Sequence, residues 1–140
     1  MIIHREDNFL QKEHCDYLIK VFNKSNPSAY RDTFIINYVD QNVLDKVCHV
    51  FDKYNLENPD NMELVKWPTN SKMDLHYDVG DRFAFIIYLN DNFKGGETII
   101  DGVTITPKIG RLVLFSNSVY KHEVKKITNG TRYTLITWYK

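Results

Sequence analysis

The sequence predicts a mainly β fold with supporting N-terminal helices, its strands arranged as a double-sheet jelly roll or barrel. Three observations carry that expectation. Two stretches before residue 60 space their apolar residues for one face of a helix. From Met62 onward, short β-branched and aromatic runs alternate with turn-forming Gly, Pro, Asn and Asp. One of these runs, 82–90, is apolar on both faces, as befits a central strand covered on each side.

Taken in order, Ile2, Ile3 and His4 suit a short strand. A helix is predicted over about 11–23, where Cys15, Leu18, Ile19 and Phe22 fall at i, i+3, i+4, i+7 spacing. The turn formers Ser25-Asn26-Pro27-Ser28 end it. Residues 33–39 read as a strand. Asp40 is the expected N-cap of a second helix carrying Leu44, Val47, Cys48 and Phe51 on one stripe. Asn58-Pro59-Asp60-Asn61 breaks the chain. Strands are then predicted over 62–67, 73–78, 82–90, 97–100, 103–106, 111–115, 122–127 and 131–139. Gly95-Gly96, Asp101-Gly102, residues 107–110 and Asn129-Gly130 supply turns between them. Within 82–90, Phe83, Phe85, Ile87 and Leu89 alternate with Ala84, Ile86 and Tyr88. One set is expected to line the barrel and the other to meet the helices.

At 140 residues the chain suits one domain, with 1–60 as supporting helices and strand and 61–140 as the β core. Hydrophobic residues make up 43%, enough for a sizeable core. Lys plus Arg number 18 and Asp plus Glu also number 18, so no electrostatic footprint for nucleic acid or an acidic membrane is expected. Neither a signal peptide nor a membrane span is visible, so a cytoplasmic location is expected. Cys15 and Cys48 then read as reduced thiols on helix faces. Asn129-Gly130-Thr131 matches a glycosylation sequon but is read as a turn.

The chemistry concentrates at Leu75-His76-Tyr77-Asp78. Side chains at i and i+2 of a strand share a face, so His76 and Asp78 can reach one metal ion while Tyr77 points away. A third ligand must come from elsewhere, and His122 is the best-placed candidate. Two imidazoles and one carboxylate leave coordination positions open, which suits non-haem Fe(II) oxygen chemistry. His4, His14 and His49 are assigned no role.

This order of residues resembles the Fe(II)/2-oxoglutarate-dependent dioxygenases, most closely the prolyl 4-hydroxylase-like branch. The resemblance is carried by the His76-Tyr77-Asp78 segment, Tyr88-Leu89-Asn90, Gly95-Gly96-Glu97-Thr98 and the run Gly110-Arg111-Leu112-Val113-Leu114-Phe115. His122-Glu123-Val124 and the stretch from Gly130-Thr131-Arg132-Tyr133 to Trp138 complete it. It is close over about the last 80 residues and loose before them.

The resemblance implies a double-stranded β-helix of the cupin-like kind. It further implies that His76, Asp78 and His122 hold Fe(II), which 2-oxoglutarate chelates through its 1-carboxylate and keto oxygen. The 5-carboxylate of that cosubstrate would meet Arg132, whose guanidinium fork matches a carboxylate. O2 is the second cosubstrate, and ascorbate a further reductant the resemblance allows. The implied reaction is hydroxylation of a peptidyl residue, proline first, in a peptide or protein substrate. Alternatives are another side chain or a small molecule, or a cupin-like binding module without catalysis. Arg132 could also be read as one half of a structural ion pair.

By resemblance, Thr98 contacts the cosubstrate and Trp138 faces the substrate. Two positions depart from the family pattern. Trp67 stands nine residues before His76, where the family often carries a cosubstrate-binding Tyr. Met73 stands three before it, where a substrate-facing Tyr is common. Finally, alternation demands a particular turn if Arg132 is to share the face of His122. A three-residue hairpin loop, 128–130, would pair 127 with 131 and set 132 opposite 126, with Thr134, Ile136 and Trp138 on the same face.

Overall fold

The computed structural model describes residues 2–76, 83–116 and 121–137. Its first element, β1 (Ile2–Glu6), is followed by α1 (Lys12–Asn23), which buries Cys15, Leu18 and Phe22 as the periodicity requires. Burial of a Leu or Phe side chain contributes about 1.5–3 kcal/mol, so this face holds the helix in place. The same burial pushes the Cys15 thiol up to about 11. A hairpin of β2 (Ser28–Tyr30) and β3 (Thr33–Asn37) comes next. The sequence reading saw only a turn before β3. All three residues of β2 are exposed, so no apolar alternation marks this strand.

In α2 (Gln41–Lys53), the Asp40 carboxylate accepts a hydrogen bond from the Val43 N–H at 3.1 Å, the expected cap. The buried stripe is Val43, Val47, Val50 and Phe51, rotated from the expected one, and Leu44 and Cys48 are only half-buried. Both sets have helical spacing; the sheet beneath decides which is covered.

The remaining strands are β4 (Glu63–Trp67), β5 (Met73–His76), β6 (Phe83–Tyr88), β7 (Lys94–Gly95), β8 (Thr98–Ile100) and β9 (Val103–Ile105). They continue with β10 (Leu112–Ser116), β11 (His122–Val124), β12 (Ile127–Asn129) and β13 (Arg132–Ile136). A seven-stranded sheet has the order β1-β10-β6-β13-β4-β3-β2, and a four-stranded sheet has the order β5-β11-β8-β9. All their pairings are antiparallel. This is the expected double-stranded β-helix, mainly β with two helices packed outside. No described helix is long and apolar enough to cross a membrane.

β6 is central and behaves as its two-faced composition demands. Phe85, Ile87 and Leu89 join Leu18, Phe22, Val47 and Phe51 in one core between helices and large sheet. Ala84 and Tyr88 turn the other way and pack with Val113 and Phe115 against Ile100 and Ile105 of the small sheet. A third cluster sets Val65 and Trp67 of the large sheet with Val124 and Ile127.

One expectation is overturned. The predicted strand 122–127 is broken, and no hairpin joins it to β13. β11 lies in the small sheet, β12 pairs with β7, and β13 lies in the large sheet between β4 and β6. The chain between His122 and Arg132 is therefore a crossing from one sheet to the other. A local turn signal gives the bend but not the partner. Gly130 does adopt the left-handed conformation (φ +85°), yet it turns the chain against Phe93 rather than closing a hairpin. At Gly95 a side chain would collide with the Lys126 carbonyl oxygen, so glycine is required where the crossing passes.

Candidate active site

A cavity of about 490 Å³, counting its open mouth, lies between the sheets. The small sheet brings His76 and His122 together. They face each other across the β5–β11 pairing, with ring centroids 4.3 Å apart. Phe115 of the large sheet sets its ring against His122 at 5.4 Å, and His122 is buried on the cavity wall. His76 Nδ1 lies 2.8 Å from the Asp74 carbonyl oxygen. A carbonyl can only accept, so Nδ1 donates in this contact, and Nε2 is the nitrogen this orientation would offer to a metal ion.

Asp78, the expected carboxylate ligand, and Trp138 lie outside the described residues. Among the described residues no cluster of three or more His, Cys, Asp or Glu forms. The structure thus brings together two of the three ligands expected from sequence.

The large sheet supplies Arg132. It sits opposite Trp67 on β4, and Thr134, two residues on, shares its face opposite Tyr88. The Arg132 guanidinium lies 4.8 Å from the Trp67 ring centroid and 5.3 Å from that of Tyr88. Its Nη2 donates to Thr98 Oγ1 at 3.0 Å, and the Tyr88 hydroxyl shares a 2.6 Å hydrogen bond with the same oxygen. Thr98 belongs to the small sheet, so this network ties the two walls together. Gly96 (φ +73°) makes room for it: a Cβ there would lie 3.1 Å from Arg132 Cδ and 2.9 Å from the Phe93 ring.

Arg132 is only 1% exposed. Burial pushes its pKa down, opposed by Tyr88 and Glu97, but an arginine starts so high that it stays charged. Among the described residues it forms no salt bridge. The ion-pair reading of Arg132 therefore finds no support there. A buried cation with no ion-pair partner among the described residues is costly, and a cavity carrying one suits an anion. Arg132 Nε, Trp67 Nε1 and Thr134 Oγ1 are also buried without a hydrogen-bond partner among the described residues. Such a donor set fits the carboxylate of a small dicarboxylic acid.

The expected inner face is thus observed for Arg132, Thr134 and Ile136, although by a different route. Met73 and Trp67 line both this cavity and a polar groove formed with Tyr30, Arg31, Asp32 and Lys72, so Met73 stands at the mouth. Two contributors escaped the sequence reading. The sequence puts Thr134 on the inner face without a role, and Tyr88 on one face of the two-faced strand. Alternation from Arg132 is the signal for the first; the second lies in the Tyr88-Leu89-Asn90 segment that carries the resemblance, which implies no role for it. The histidines assigned no role include His4, which lies 2.7 Å from the Tyr54 hydroxyl, and His14, 2.7 Å from Asp40.

A family model described as "2OG-Fe(II) oxygenase superfamily" matches residues 62–140. The chain is 37% identical over a 65-residue alignment to "Prolyl 3-hydroxylase 2" of Rattus norvegicus, covering 41% of this chain and 9% of the relative. The protein of the same name from Homo sapiens gives the same figures. The chain therefore spans about a tenth of the length of these curated relatives. Among solved structures it is similar to a viral collagen prolyl hydroxylase from Paramecium Bursaria Chlorella virus-1 in its 2OG complex. That likeness has a TM-score of 0.77 at 19% identity, covering 96% of this chain and 93% of the other. A Pseudomonas putida prolyl-4-hydroxylase gives 0.73 at 20% identity, with 98% and 91% covered. At these identities the structures speak for the fold.

Proposed function

The chain belongs to the 2OG-Fe(II) oxygenase superfamily, and from that premise we propose that it is an Fe(II)- and 2-oxoglutarate-dependent hydroxylase of peptidyl residues, with proline the expected target. Arg132 carries this reading: it is buried and has no salt bridge among the described residues, as a site for a dicarboxylate cosubstrate requires. The names of the curated relatives and of the structural neighbours favour proline. We read 1–140 as one catalytic unit, with 1–60 supplying the outer helices and 61–140 the core.

In this reading His76, His122 and Asp78 hold the iron. When bound, iron, 2-oxoglutarate and O2 would supply the oxidising chemistry, coupled to release of succinate and CO2, with ascorbate an added reductant the resemblance allows. The chain's own work is to bind and orient. The Asp74 carbonyl orients the His76 ring. Arg132 takes the remote carboxylate, and Thr98 and Tyr88 hold the guanidinium in register. Phe115, Val124 and Ile136 give the cavity apolar walls, which would limit the entry of water. Met73, at the mouth, would meet the substrate, a role the resemblance also gives to Trp138.

Incubating the protein with Fe(II), 2-oxoglutarate and a proline-containing peptide library tests the proposal. Mass spectrometry is expected to show peptides that have gained one oxygen atom, with matching succinate. His76→Ala should abolish both. Persistence of both in His76→Ala would remove the metal assignment. Unchanged peptides throughout, with no bound iron, would point to a binding module instead.

A further inference from the structure

Three polar atoms of the cavity have no hydrogen-bond partner among the described residues, and they form one group. Trp67, Arg132 and Thr134 are 5%, 1% and 1% exposed, and all line the same space. Trp67 lies opposite Arg132 in the β4–β13 register, and Thr134 follows two residues later on the same face. Of Arg132's donors, Nη2 is committed to Thr98, while Nε has no partner among the described residues. The Trp67 ring lies against the guanidinium, and its own N–H has no partner among the described residues. An indole N–H can only donate, and native proteins rarely leave a buried donor bare. A carboxylate, with only acceptor positions, is the complement of this set.

Resting on the cosubstrate reading above, we propose that Trp67 Nε1 and the Thr134 hydroxyl bind the remote carboxylate of 2-oxoglutarate beside Arg132. The departure from tyrosine at position 67 then keeps a hydrogen-bond donor, an N–H in place of an O–H. Trp67 serves the site twice. Its ring face supports the cation, and its edge holds the anion that the cation attracts. Thr134 completes the cradle from the next inward position of β13.

The chain contains two tryptophans, Trp67 and Trp138, so a ¹⁵N-labelled sample shows two indole N–H signals. The test uses the protein loaded with Zn(II), a redox-inert ion that cannot support turnover. 2-Oxoglutarate is expected to move the Trp67 signal downfield and slow its exchange with solvent. 2-Oxobutyrate shares the 2-oxo acid end but lacks the second carboxylate, and is expected to leave the signal in place. Trp138→Phe assigns the pair. By calorimetry, Trp67→Phe should weaken 2-oxoglutarate by about tenfold or more, the usual scale for a hydrogen bond to a charged group, and spare 2-oxobutyrate. Thr134→Val should do the same to a smaller degree.

If 2-oxoglutarate binds the unsubstituted protein while the Trp67 signal stays still, the proposal is overturned and the cosubstrate reading stands. Equal weakening of both acids by Trp67→Phe would also overturn it, leaving the indole as packing only. Failure of the unsubstituted protein to bind 2-oxoglutarate would remove both. Should Trp67→Phe not fold, the two-ligand comparison on the unsubstituted protein decides.

Discussion

Arg132 keeps its charge in a place with almost no solvent because two aromatic faces and one hydroxyl surround it. A lysine there would retain the charge and lose the planar fork, and its compact ammonium is harder to dehydrate. Arg132→Lys is therefore expected to raise the KM for 2-oxoglutarate by about tenfold, the scale of one lost charge-assisted hydrogen bond. Initial rates of succinate formation against 2-oxoglutarate concentration check this; an unchanged KM would exclude the fork. His76, His122 and Arg132 were legible in the sequence because their residue types and order in a run of strands are themselves a signal. The donors of Trp67 and Thr134 were not. They acquire meaning only through the β4–β13 register, between segments far apart in sequence, and no local pattern encodes it. Met73 at the cavity mouth was legible as a departure from the family pattern, and the structure gives it a position without naming what it meets.

At the scale of elements, the helices and most strands followed from periodicity and turn residues. Asp40 caps α2 as expected, and β6 divides its residues between two cores as its composition required. The failure lay in connection. Asn129-Gly130 announces a bend, and a hairpin is the commonest use of such a bend, but here the chain changes sheets. What permits the crossing is a pair of glycines on the neighbouring segment. Gly96 is the more telling of the two, because its missing side chain leaves space for Arg132 Cδ. Gly96→Ala would place a β-carbon in a left-handed conformation costing about 1–2 kcal/mol, with the crowding of Phe93 and Arg132 added. The expected outcome is a loss of at least that size in urea unfolding, together with weaker 2-oxoglutarate binding. Stability lost without any change in binding would show that the glycine serves the turn alone.

Over the whole molecule, the start of the described chain is held to its later part. β1 pairs with β10, and Asp7 just beyond it accepts from Arg111 Nε at 2.7 Å, with Lys108 beside it. The Arg111 hydrogen bond holds the Asp7 carboxyl down to about 2, below its ordinary range. A lowered folded-state pKa adds stability above the unfolded value of about 3.9, and that contribution is lost as pH falls through the folded value. Asp7→Asn should therefore lower the Tm at pH 7, with the gap to the unsubstituted protein closing as pH falls from about 4 toward 2. Thermal melts across that range check it, and a gap independent of pH would rule out the charge as the cause. The two-sheet class could be read from strand count and turn spacing, whereas this closure could not, since no pattern in residues 2–6 points to residues 112–115. Ile2 finds Phe115 more than a hundred positions later. During synthesis β1 must therefore wait, unpaired, until β10 has left the ribosome. The large sheet can close only late in translation or after it, and folding of this chain should be slow for its size, governed by a search over long distances along the backbone.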